Sequence, residues 1–266
     1  MSRSASLDLI PASVSDYREL ARRRLPRQVF DYLDGGAFDE STLAANVDDL
    51  ARVRFRQRVL VDVAERRTAV TVLGTELSMP VVLAPIGFGG MMSRRAEVAA
   101  ARAAERAGVA FCESTLSICP VEEVAAATTR PPWFQLYVMK DRSVAEALID
   151  RAASAGCETL VLTVDLPVVG HRYRDVRNGV SGGVPWTRSW RRAIDVVRHP
   201  RWVRDVALRG RPLSFGNLEG VLRDERVPKD FQRWVASQFD PTVTWDDLAW
   251  LRDRWPGKLA LKGILD

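Results

Sequence analysis

The sequence predicts a parallel α/β fold, and within that class a (β/α)8 TIM barrel of which the first five strands are present. Three observations predict it. Five short runs, 80–84, 109–113, 133–138, 159–164 and 258–262, recur along the 266 residues. Each is nearly all apolar rather than alternating, as strands buried on both faces are. Ala-rich segments with apolar residues at helical spacing lie between the early runs, the rhythm of βα units. No Gly-x-Gly-x-x-Gly follows any run, so the fingerprint of the open dinucleotide-binding sheet is missing and the barrel is preferred.

The elements follow in order. Residues 93–107 read as a helix that stops at Gly108, a residue suited to a left-handed helix end. Residues 121–127 form a shorter helix with Pro120 at its start. Residues 141–155 repeat the longer design, with Asp141 as N-cap and Gly156 as the stop. Between the fourth and fifth runs, residues 175–242 fall outside the rhythm and are expected to be an insertion within a single domain spanning 1–266. The last residues, Lys262-Gly-Ile-Leu-Asp266, follow directly on the fifth run. The expectation is therefore a C-terminally incomplete barrel with an open sheet edge.

A hydrophobic share of 47% is ordinary for a packed core. The first twenty residues contain no apolar h-region, and no stretch approaches the roughly 18 apolar residues of a spanning helix. An intracellular protein is expected. Cys112, Cys119 and Cys157 have no metal-ligand spacing and read as reduced, packed thiols, with no metal site.

The net charge of +5 and pI of about 9.4 fit nucleic acid, an anionic membrane surface or an anionic substrate and cofactor. Distribution narrows the choice. The first half of the insertion, 185–212, carries Arg188, Arg191, Arg192, Arg198, Arg201, Arg204, Arg209 and Arg211 against Asp195 and Asp205. Trp186, Trp190, Ile194, Val197, Trp202 and Val203 are interleaved with them. Indoles among arginines suit a membrane interface with anionic lipid, although a solvated basic loop or a subunit contact has the same composition. No nucleic-acid reading motif accompanies the arginines, so a nucleic-acid partner is not expected.

Four segments carry a family resemblance: Asp31-Tyr-Leu-Asp-Gly-Gly-Ala37, Phe134-Gln-Leu-Tyr-Val138, Leu162-Thr-Val-Asp-Leu-Pro167 and Leu261-Lys-Gly-Ile264. In order and over nearly the whole chain, they resemble the FMN-dependent 2-hydroxy-acid oxidases and dehydrogenases. Arg94-Arg95-Ala-Glu-Val98, Ser114-Thr-Leu-Ser-Ile-Cys-Pro-Val-Glu-Glu-Val124 and Arg172-Tyr-Arg-Asp175 look most like the bacterial respiratory L-lactate enzymes. The stretch 205–217 is also similar to mandelate dehydrogenase.

The polar residues that close the runs stand where a barrel places its active site, at the C-terminal ends of the strands. Hydrogen-bonding side chains, close backbone and a cation are what a flavin bed requires. The resemblance implies FMN contacts from Pro85, Ile86, Gly87, Ser114, Gln135, Thr163 and Lys262. A lysine beside the ring would stabilise the anionic reduced flavin. The resemblance further implies that Tyr32, Tyr137 and Arg172 bind the substrate, Arg172 by gripping its carboxylate. Asp165 is left as either an orienting group or a strand-end cap.

The base that the reaction needs is, by the resemblance, a histidine in a Ser-Asn-His-Gly-Gly-Arg-like motif expected beyond Asp266, as is the phosphate site. No catalytic residue is therefore expected among these 266, and His171 and His199 do not match the motif. The implied activity is oxidation of L-lactate to pyruvate, with electrons passed to a respiratory acceptor. The implied setting is the inner face of the cell membrane, held peripherally, as a homo-oligomer when full length. (S)-Mandelate oxidation, or an inactive fragment that at most binds membrane, are the alternatives.

Overall fold

The structure, a computed structural model, describes residues 10–178, 186–220 and 237–264. Three helices open the described chain: α1 (Val14–Arg24), α2 (Arg27–Asp34) and α3 (Ser41–Arg52). Ser13 and Asp16 start α1 with a capping box, each side chain bonding the other's backbone N–H. A hairpin of β1 (Val70–Val72) and β2 (Thr75–Leu77) follows. Its turn, Leu73-Gly74, has positive φ at both residues, as a type I′ hairpin turn requires.

The five expected strands form one parallel sheet in chain order: β3 (Val82–Leu83), β4 (Ala110–Ser114), β5 (Trp133–Leu136), β6 (Thr159–Thr163) and β7 (Lys258–Lys262). Such an ordered run of parallel neighbours is the first part of a (β/α)8 barrel. Two strands are shorter than their apolar runs suggest. Only Val82 and Leu83 pair in the first. The third ends at Leu136, because Tyr137 N turns to Thr115 Oγ1 (3.3 Å) and Val138 O accepts from Asp240 N (3.3 Å).

The helix expected over 93–107 is helix α5 (Ala96–Ala107), and a short helix α4 (Gly89–Met92) precedes it across a break at residues 93–95. The break has a cause in Glu97, which is buried. Its Oε1 accepts from Gly90 N and Ile118 N, both at 3.0 Å, and its Oε2 from Cys119 Sγ at 3.2 Å. That carboxylate ties α4 to the loop after β4, and Ser93 and Arg95 leave helical geometry to allow it. The expected stops hold: Gly108 has φ +66° and Gly156 has φ +84°.

Helix α6 (Val121–Ala126) follows Pro120, and α7 (Arg142–Ser154) starts at Asp141, whose carboxylate accepts from Ser143 N. The core lies between the sheet and its helices. Phe134, Leu136, Leu160 and Leu162 on the outer sheet face meet Leu148 and Ile149 of α7 and Leu251 and Trp255 at the end of the chain's last described helix. All three cysteines are buried and free. Burial pushes the Cys119 and Cys157 thiols up to about 12, and Cys112 higher still, so they are inert packing groups.

Within 175–242 the described residues hold α8 (Tyr173–Asn178), α9 (Trp186–Val197) and α10 (Pro200–Trp202), the last running on as wide helical turns over Val203–Leu208. Helix α11 (Asp247–Arg254) then leads into β7. Residues 179–185 and 221–236, and the side chains of Trp186, Arg188 and Arg191, lie outside the described residues. One expectation is corrected here. Trp202, read as an interface indole, is buried with Leu25, Val29 and Val206, and its Nε1 donates to Met91 O at 2.8 Å. It pins the insertion to α4.

Candidate active site

Parallel register places the polar strand-end residues side by side. Ser114 pairs with Gln135, and Thr163 pairs with Lys262. Gln135 is buried, and its carbonyl end is committed: Oε1 accepts from Ser114 Oγ at 3.2 Å and from Thr115 N at 3.3 Å. Its Nε2 is therefore presented as a donor and has no hydrogen-bond partner, and neither does Thr163 Oγ1. Buried donors left open in this way are costly unless a ligand takes them. Lys262 Nζ lies 3.3 Å from Asp165 Oδ2, so Asp165 orients the lysine rather than capping a strand.

A cavity of about 310 Å³ opens at these strand ends. Tyr32, Pro85, Gly87, Ser114, Tyr137 and Arg172 all line it, uniting the two expected classes of residue. Thr163 lines an adjoining cavity that shares the Tyr137 wall. Gln135, Ile86 and Lys262 line neither.

Arg172 is held before any ligand arrives. One nitrogen donates to Tyr32 O and to Gly35 O (2.6 Å), its Nε is 3.2 Å from buried Asp175, and its guanidinium covers the Tyr32 ring at 4.9 Å. The neighbouring Arg174 joins the same two segments. It pairs with Asp34 at 2.8 Å and with Glu40, while Arg18 also reaches Asp34. The Arg18 guanidinium, with Arg174, holds the Asp34 carboxyl below the usual range, and Arg174 does the same for Glu40. This network locks the C-terminal end of α2 onto α8, which is why motifs 140 residues apart occupy one wall.

Burial pushes the Tyr32 and Tyr137 phenols up to about 12; the Arg172 charge partly offsets this at Tyr32, and Asp165 adds to it at Tyr137. Both remain neutral donors at physiological pH. Neither histidine lines the cavity. His171 packs among Phe38 and Tyr173, and His199 Nδ1 is 2.7 Å from Asp195 O.

Two further contributors were not foreseen. Asn217, buried, accepts from Val121 N at 2.7 Å and donates to Ser114 O at 3.0 Å, fixing the end of β4 from the insertion. Phe239 stacks on Tyr137 with centroids 4.7 Å apart and planes 29° from parallel. Asn217 had one signal, its place in the 205–217 stretch; Phe239 had none.

At its C-terminal mouth the parallel barrel sheet carries open donors, a paired cation and an anchored guanidinium, groups able to hold an anionic substrate and a polar ring. The chain belongs to the FMN-dependent dehydrogenase family, whose model matches residues 21–266. An L-lactate dehydrogenase of Caulobacter sp. (strain K31) is 50% identical over 258 residues, covering 97% of this chain and 67% of that protein. One from Actinobacillus pleuropneumoniae serotype 5b is 49% identical with the same coverage. The solved structure of the monotopic membrane protein (S)-mandelate dehydrogenase is 37% identical with a TM-score of 0.85, over 98% of this chain and 68% of that one. The chain thus spans about two thirds of the length of these relatives.

The residues fit FMN. The open Gln135 Nε2 and Thr163 Oγ1 could donate to a ring edge rich in acceptors, and Lys262 would supply a charge beside it.

Proposed function

We propose that this protein oxidises L-lactate to pyruvate, the substrate proton passing to the histidine base that the family resemblance implies, and passes the electrons to a respiratory acceptor at the membrane surface. The observation that carries the reading is that Tyr32, Tyr137 and Arg172 share one cavity with Pro85, Gly87 and Ser114. FMN, when bound, supplies the two-electron acceptor. Ser114, Gln135 and Thr163 would hold its ring, with Pro85, Ile86 and Gly87 against its face and Lys262 beside it. Arg172 grips the substrate carboxylate, and its bonds to the Tyr32 and Gly35 carbonyls fix where that carboxylate sits. The two phenols donate to the carboxylate or to the oxygen that becomes the carbonyl.

The reading is tested by turnover of L-lactate and (S)-mandelate with an artificial acceptor. L-Lactate is expected to be the better substrate, and Arg172→Lys, which loses the planar fork, should raise KM about tenfold or more. An enzyme inert to L-lactate but active on (S)-mandelate would select the second reading, which the 0.85 TM-score to (S)-mandelate dehydrogenase supports.

The membrane part rests on α9. Trp190, Ile194 and Val197 are exposed on one stripe, while Val196 packs inward against the Leu25–Trp202 cluster. Arg198, Arg201, Arg204 and Arg209 are exposed nearby. No helix among the described residues is long and apolar enough to cross a membrane, so contact would be peripheral. Co-sedimentation with phosphatidylglycerol vesicles should fall when Trp190 and Ile194 are both changed to Ser; unchanged binding would remove α9 from the interface.

A further inference from the structure

Behind the substrate cavity lies a second cavity of about 280 Å³. The two share three wall residues, Tyr137, Leu166 and Phe239. The second is walled mainly by apolar side chains, among them Val138, Val164, Val243, Leu248 and Leu261. Its one carboxylate, Asp240, is already engaged by Arg142 at 3.0 Å and by Thr242 Oγ1 at 2.6 Å. An apolar cavity of about 150 Å³ is enough to take up benzene, so this one is of a size to accept an aryl group.

The partition is built firmly. Phe239 is buried, stacks on Tyr137, and pairs through its backbone with Met139. Flanking backbone bonds from Lys140 N to Gln238 O (2.9 Å) and from Asp240 N to Val138 O (3.3 Å) fasten it to the end of β5. Its side chain, with Tyr137 and Leu166, walls both cavities. Its removal would leave the backbone anchors in place.

We propose that Phe239 sets the length of substrate side chain this protein accepts, and that the apolar cavity behind it is a latent subsite for aryl or long alkyl side chains of 2-hydroxy acids. The proposal rests on the 2-hydroxy-acid reading above. Removing the Phe239 ring would open the apolar rear cavity to a longer side chain. Phe239 acts on specificity without touching the reacting atoms.

The test is binding rather than turnover. Pyruvate and phenylglyoxylate, the unreactive 2-oxo acids, are titrated into the flavin-loaded protein and their Kd values read from the perturbed flavin spectrum. Phe239→Ala should improve the phenylglyoxylate-to-pyruvate affinity ratio about tenfold or more. Phe239→Leu, which keeps most of the packing, should move it several-fold in the same direction. Filling the rear cavity with Val243→Phe in the Phe239→Leu background should cancel the gain. A ratio unchanged in both Phe239 variants, or a gain that survives Val243→Phe, overturns the proposal. Failure of the wild-type protein to bind either 2-oxo acid would instead overturn the functional reading on which it rests.

Discussion

Tyr32 and Tyr137 show how burial prepares a residue for its task. A phenol raised from 10.0 to about 12 stays a hydrogen-bond donor across the physiological range. Because the folded-state value is raised, the stability tied to these neutral phenols is complete below about pH 10 and is lost as pH climbs through about 12. An absorbance titration should show tyrosinate formation near pH 12 that Tyr32→Phe and Tyr137→Phe each diminish. Glu113 is the same effect carried further. Buried in β4, with both carboxylate oxygens lacking a hydrogen-bond partner, it is pushed well above 4.5 by desolvation and then by the Glu97 charge. Its stability contribution is full below 4.5 and lost as pH rises through that higher value. Glu113→Gln should therefore raise Tm at mildly alkaline pH, by roughly the 2–4 °C that about 1 kcal/mol produces in a domain of this size. No gain should remain in acid.

Elements explain which of these residues the sequence disclosed. Strands buried on both faces announce themselves as apolar runs, so the polar interruptions Gln135, Thr163 and Lys262 stood out as the residues to watch. Their register, and the Asp165 partner of Lys262, depend on strand pairing that no local pattern states. Trp202 failed for a physical reason: an indole among arginines has the same sequence signature whether it faces lipid or core. Phe239 reaches Tyr137 across a separation with no periodicity at all. The α2–α8 clamp was half visible, since Asp34 and Arg174 lie in motifs singled out separately, but only the fold pairs them. Partly buried and networked, that clamp is worth more than an isolated surface pair. Arg174→Ala should raise KM for the 2-hydroxy acid severalfold by loosening the Tyr32 and Arg172 wall, with a smaller effect on kcat; equal KM values would show that the wall stands without it.

At the scale of the whole molecule, the insertion and the barrel mouth are one structure. Trp202 fastens the insertion to α4, Asn217 and Phe215 fasten it to the end of β4 and to Phe88, and Arg151 holds the Gly216 and Asn217 carbonyls. Gly216 is required there, because a Cβ would fall 2.5 Å from Pro120 N. The exposed stripe on α9 is thereby joined through packed contacts to the end of β4, which carries Ser114. We infer that this mouth holds FMN and presents it with a 2-hydroxy acid gripped by Arg172. Anaerobic addition of L-lactate to the flavin-loaded protein tests it most directly. The flavin absorbance should bleach in the wild type, and Arg172→Ala should bleach only at far higher L-lactate. A protein that holds its flavin and stays fully oxidised with L-lactate and with every other 2-hydroxy acid offered would contradict it.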